Sequence, residues 1–200
     1  MSGQLEGRKI AIMATDGVEE VELTKPLQAL RAAGAEVDLI APKAGEIQAF
    51  NHITPSQKIK VDLSLQQANA GDYDALLLPG GVANPDQLRI DDEALDFVRA
   101  FAEAGKPMGA ICHAPWILIN AGLAEGRTLT SWPTLRQDLT NAGATVVDQE
   151  VVVDDGLVTS RGPDDLEAFC AKLIETFADG GQQGQARAAR GQGDGVQPGA

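Results

Sequence analysis

Cys112 stands where a short apolar strand must turn into an apolar helix, in the run Pro107-Met108-Gly109-Ala110-Ile111-Cys112-His113-Ala114-Pro115-Trp116. Pro115 suits the first helical turn, where its missing N–H is not needed. A thiol at such a junction faces free backbone N–H groups and the positive end of a helix, and both favour the thiolate. The chemistry this implies is nucleophilic attack by sulfur. Upstream, Glu19-Glu20-Val21-Glu22 supplies carboxyls, of which Glu19 and Glu22 are three apart and share a helical face. A protonated carboxyl there would donate to the Cys112 sulfur and stabilise its charge. Glu22, at the start of the helix body, suits that role and Glu19 a separate polar contact, with the choice between them open.

His113 adjoins Cys112, but neighbouring side chains commonly diverge, so adjacency alone does not make a Cys–His pair. As a base it would need an orienting acid, for which Asp86 of another subunit is a source. Gly80-Gly81 lets backbone approach a ligand, and the Gly81 N–H with that of His113 would form an oxyanion hole. Trp132 fits a pocket wall or a core position. His52 reads as structural, and Cys170 falls on the apolar stripe of a helix.

The elements that must position these residues alternate. Apolar strands are expected at Lys9–Ala14, Glu36–Ala41, Asp74–Leu78 and Pro107–Ile111, with helices over about 23–33, 91–104, 135–142 and 164–177. Residues 46–61 hold short β-prone pieces outside the main sheet, and Asp154-Asp155-Gly156 marks a hairpin turn. Continuous apolar strands between helices imply a mostly parallel sheet covered on both faces. Ligands in such sheets collect beyond the carboxyl ends of the strands. Segments 16–23, 79–86 and Cys112-His113 should therefore meet.

The chain has 200 residues and a formal net charge of −13, which argues against general nucleic-acid binding because that rests on Lys/Arg neutralising phosphates. No apolar run approaches the ~18 residues of a membrane span, and residues 1–8 lack the apolar core of a secretory signal. A cytoplasmic protein is expected. Two cysteines and two histidines are too few for a typical structural zinc site. From Gly180 onward Gly, Gln, Ala and Arg dominate without apolar periodicity, so 180–200 reads as a disordered tail behind a 1–179 domain.

The segments DGVEEVEL (16–23), DALLLPGG (74–81), NPDQLR (84–89), GKPMGAICHAPWIL (105–118), GRTLTSW (126–132), NAGA (141–144) and TSRGPDDL (159–166) resemble the PfpI family of the class I glutamine amidotransferase-like superfamily. The resemblance implies a flavodoxin-like α/β three-layer sandwich and a homodimer or higher homo-oligomer. It implies Cys112 as nucleophile, Glu22 as the carboxyl touching it, and His113 as the histidine of protease-like members. Asp86 falls where those members carry a glutamate from a neighbouring subunit, but it is shorter and follows a loop with one apparent extra residue. The implied function is a stress-related, cysteine-dependent hydrolase or lyase, needing no metal or organic cofactor. Its substrates would be small carbonyl compounds, glycated groups or peptides, in a deglycase/glyoxalase-like or an intracellular peptidase-like reaction. The alternative is a non-enzymatic redox sensor working through oxidation of Cys112. An amidotransferase triad would need a histidine beyond His113, and the sequence has none.

Overall fold

Strands β1 (Lys9–Met13), β7 (Ala75–Leu78) and β8 (Met108–Ile111) are apolar at nearly every position, and they form the centre of a sheet buried on both faces. The structure is a computed structural model that describes residues 3–191, with side-chain surroundings through residue 180. The seven-stranded sheet runs β11-β12-β8-β7-β1-β3-β6, where β3 is Glu36–Ala41, β6 Leu63–Ser64, β11 Val151–Asp154 and β12 Leu157–Ser160. All pairings are parallel except β11 with β12, which turn through Asp155 and Gly156, both at positive φ (44° and 80°). Those are the backbone angles a tight hairpin requires.

Side chains alternate between two cores. Ile10 and Ile12 pack with Leu23, Leu30, Phe169 and Leu173 of α1 (Glu20–Ala32) and α6 (Leu166–Gly191). Met13, Leu76 and Leu78 pack with Phe97, Val98 and Phe101 of α3 (Asp92–Glu103) and with Ile117 and Leu118 of α4 (Pro115–Ala121). Asp91 caps α3 by accepting from the Ala94 N–H at 3.1 Å, and Gly122 at φ 76° closes α4.

The 46–61 excursion is a small second sheet. β2 (Val18–Glu19) pairs parallel with β4 (Glu46–Asn51), and β4 pairs antiparallel with β5 (Thr54–Lys60). A short helix with no sequence signal of its own, α2 (Ala83–Leu88), follows β7. The remaining elements are β9 (Thr128–Leu129), α5 (Arg136–Asn141) and β10 (Thr145–Val146). Helix α6 continues past residue 179 to Gly191, through Ala, Gln and Arg of good helix propensity. The rest of the expected tail, 192–200, lies outside the described residues.

Candidate active site

Because β8, β7 and β1 are neighbours in the sheet, their carboxyl ends open side by side. From β8 comes Cys112, at φ 62°. That left-handed backbone is costly for a residue with a Cβ. It is held by three hydrogen bonds: the Cys112 N–H to the Ser160 carbonyl (3.0 Å), the Trp132 N–H to the Cys112 carbonyl (3.0 Å), and the Ala114 N–H to the Ile111 carbonyl (3.0 Å). From β7 comes Gly80-Gly81, and after β1 the chain leads to Glu19 and Glu22.

Glycine is a geometric requirement here. A Cβ on Gly80 would stand 2.5 Å from Glu22 Oε2, 2.6 Å from the Cys112 Cβ and 2.7 Å from the Ile111 carbonyl oxygen. One on Gly81, at φ 80°, would stand 2.4 Å from the Gly17 carbonyl oxygen. Asn84, fully buried, ties the loops together. It accepts from the Thr15 N–H (2.8 Å) and donates to the carbonyls of Pro79 and Gly80 (2.9 Å each). Its role went unnoticed in the sequence, where only its place in the NPDQLR segment pointed to it.

Glu22 is fully buried. Its Oε2 accepts from the Gly80 N–H at 3.0 Å. Oε1 has no nitrogen or oxygen partner among the described residues, and the carboxyl lies beside the Cys112 thiol. Burial pushes this carboxyl up to about 8, so Glu22 is protonated at neutral pH. Glu19 turns elsewhere: its Oε2 accepts from the His52 N–H at 2.9 Å and pins the β4–β5 turn. Thus Glu22 is the carboxyl beside the sulfur, and Glu19 makes the separate contact.

The environment of Cys112 corrects one expectation. Burial, and after it the Glu22 carboxylate once ionised, push the thiol above its ordinary range, while the N–H groups of Gly81 and His113 pull it down. A free helix end was expected to lower it. The thiol is only 6% exposed, however, and desolvation outweighs two backbone donors. Those donors, the N–H groups of Gly81 and His113, act on the sulfur itself.

His113 does turn toward its neighbour. Its Nδ1 lies 3.1 Å from the Cys112 sulfur and its Nε2 3.4 Å from Thr134 Oγ1. The ring stacks on Trp132 (centroids 5.8 Å apart) and meets Trp116 edge-on at 5.2 Å. Burial among these rings depresses it to about 4, so His113 is neutral. Asp86 is exposed on α2 and does not line the cavity over Cys112.

That cavity holds about 250 Å³. Glu19, Glu22, Gly81, Cys112 and His113 form its floor and walls, and Trp132 and Thr134 also line it. His52, Ile53 and Val82 line it as well, unforeseen contributors, since the β4–β5 turn reaches it only through tertiary folding. Cys170 is half-buried on α6 in a separate place. Among the described residues no three His, Cys, Asp or Glu side chains are grouped as a metal site.

A family model described as DJ-1/PfpI family matches residues 8–176. YraA of Bacillus subtilis, provisionally named a cysteine protease, is 46% identical over 162 residues, 81% of this chain and 94% of that protein. Protein/nucleic acid deglycase 2 of Escherichia coli is 46% identical over 163 residues, 81% of this chain and 93% of that protein. Among solved structures, Drosophila melanogaster DJ-1beta superposes with a TM-score of 0.79 at 30% identity, covering 92% of this chain and 97% of that one.

Proposed function

The chain belongs to the DJ-1/PfpI family, and from that premise we propose that it is a cysteine-dependent enzyme of the deglycase or glyoxalase type, with Cys112 as nucleophile. The observation that carries this reading is the protonated Glu22 carboxyl beside the Cys112 sulfur, with the N–H groups of Gly81 and His113 on the same atom. A neutral carboxyl can donate a proton to an oxygen or nitrogen that gains charge, and can take one back later. The similarity to an E. coli protein named a deglycase supports the same class.

In the proposed reaction the Cys112 sulfur adds to the aldehyde carbon of a 2-oxoaldehyde while the thiol proton passes through the Glu22 carboxyl to the aldehyde oxygen, giving a hemithioacetal. With an amine adduct of that aldehyde, the carbon–sulfur bond forms as the carbon–nitrogen bond breaks, and the amine leaves with a proton. Glu22 then relays protons: its carboxyl gives its proton to the adjacent carbonyl oxygen as it takes one from the sulfur-bearing carbon, then passes that one to the adjacent carbon as it takes the hydroxyl proton, converting the hemithioacetal to a 2-hydroxy thioester. Water hydrolyses the thioester, releasing a 2-hydroxy acid and restoring the thiol. No oxidant or reductant is consumed. Gly81 with the His113 N–H steadies the oxygen charge once sulfur is bonded to carbon.

The 3.1 Å contact between Cys112 and His113 favours a second reading, an intracellular peptidase with His113 as base. That reading needs Asp86 of another copy in a homodimer or higher assembly, because His113 is neutral and faces Thr134. Wild type and Cys112→Ser incubated with methylglyoxal, with D- and L-lactate followed, separate these. Lactate from wild type alone is the expected result. Equal lactate in both would sink the proposal. Cleavage of casein that is lost in Cys112→Ser and in Asp86→Asn would establish the peptidase instead. Sulfinic acid at Cys112 without turnover of either substrate would favour the redox sensor.

A further inference from the structure

Charge in the cavity over Cys112 is lopsided. Its described lining includes the acidic residues Glu19 and Glu22 and no lysine or arginine. Glu22 is protonated and so contributes no fixed charge, and the imidazole of His113 is neutral. Glu19 is the carboxylate whose negative charge Glu22 feels. Glu19 is 6% exposed, so solvent screens its charge less than it would a surface carboxylate's. We propose that Glu19 sets the charge selectivity of this cavity, admitting neutral or cationic carbonyl compounds to Cys112 and rejecting those that carry a carboxylate or phosphate.

The proposal rests on Cys112 being the nucleophile and narrows its substrate class. Methylglyoxal is neutral, and an adduct on an arginine side chain keeps its cationic guanidinium; both fit. A 2-oxoacid such as glyoxylate brings a second negative charge against Glu19 and does not. Tight complementarity of this kind acts by repulsion of the wrong partner as much as by attraction of the right one. Glu19 also accepts the His52 N–H, with His52 at φ 56°, and thereby holds the turn that carries Ile53 to the cavity rim. A purely structural clasp would need that acceptor and not the charge.

Glu19→Gln separates the two roles, because the amide oxygen still accepts from His52 while the charge is gone. The test alkylates Cys112 with neutral iodoacetamide and anionic iodoacetate, each forming a carbon–sulfur bond with loss of iodide, and reads labelling at Cys112 by peptide mass. The iodoacetamide-to-iodoacetate rate ratio is divided by that of a free cysteine derivative. Wild type is expected to exceed the free thiol by about tenfold or more, and Glu19→Gln to fall most of the way back. The wild-type ratio tests the idea with no variant at all: a value equal to that of the free thiol overturns it. So does a high ratio that Glu19→Gln leaves unchanged. A Cys112 that neither reagent labels overturns the nucleophile reading itself, and the selectivity with it.

Discussion

In the proposed reaction, the chemistry at Cys112 turns on which group carries the proton beside it. Burial makes Glu22 the acid of the pair, up to about 8, and leaves His113 a neutral imidazole. Glu22→Gln keeps an oxygen for the Gly80 N–H and removes the transferable proton. Lactate formation in this variant is expected to fall by about 10²–10⁴-fold. The pH profile of Cys112 alkylation is expected to inflect near 8 in wild type and to lose that inflection in Glu22→Gln. His113→Asn is expected to cost the deglycase-type reaction much less than Glu22→Gln, as measured by kcat/KM with methylglyoxal. The opposite ranking would favour the peptidase-type use of the histidine.

The strand ends bring the groups together, and glycine at two positions of the loop after β7 makes the approach possible. Gly80→Ala forces a methyl into a space bounded by Glu22, the Cys112 Cβ and a backbone oxygen, none more than 2.7 Å away. It is expected to destabilise the protein by about 1–3 kcal/mol in urea denaturation and to displace Glu22 from the sulfur. By contrast, Asp91→Ala removes only the cap of α3, whose apolar face packs in the other core from Cys112, so a loss of about 1 kcal/mol should leave Cys112 alkylation unchanged. The β4–β5 turn belongs to this scale too. It is a separate small sheet whose tip reaches the cavity because Glu19 holds the His52 N–H.

Across the whole molecule, Glu22 and His113 give stability a definite pH dependence between about 4 and 8. Glu22 stays protonated to about 8 in the fold and ionises near 4.5 when unfolded, so between those values unfolding releases a proton and stability falls as pH rises. His113 ionises at about 4 in the fold and near 6.5 unfolded, so in that range stability rises with pH. The slopes oppose one another from about 4.5 to 6.5, and from 6.5 to about 8 Glu22 acts alone. Denaturation midpoints are expected to decline from pH 6.5 to 8 in wild type and to stay level in Glu22→Gln. At the other end of the chain, α6 makes its last described tertiary contacts near Ala178, whose carbonyl accepts from Arg8, and Gly180, which faces Pro107. No described helix is long and apolar enough to cross a membrane.

Local pattern determined a good deal by itself. Runs such as Ala75–Leu78 and Met108–Ile111 are too apolar to face water, so a sheet covered on both sides followed, and with it the strand ends where Cys112, Glu22 and Gly81 meet. The elbow at Cys112 was legible because a strand must end there and Pro115 can begin a helix. What only the tertiary structure decided depends on burial and on contacts between distant segments. It chose Glu22 over Glu19, turned His113 onto the sulfur, and brought the β4–β5 tip to the cavity. It also raised the Cys112 thiol where a helix end alone would lower it, because desolvation is a property of the packed surroundings and not of the residues adjoining the cysteine.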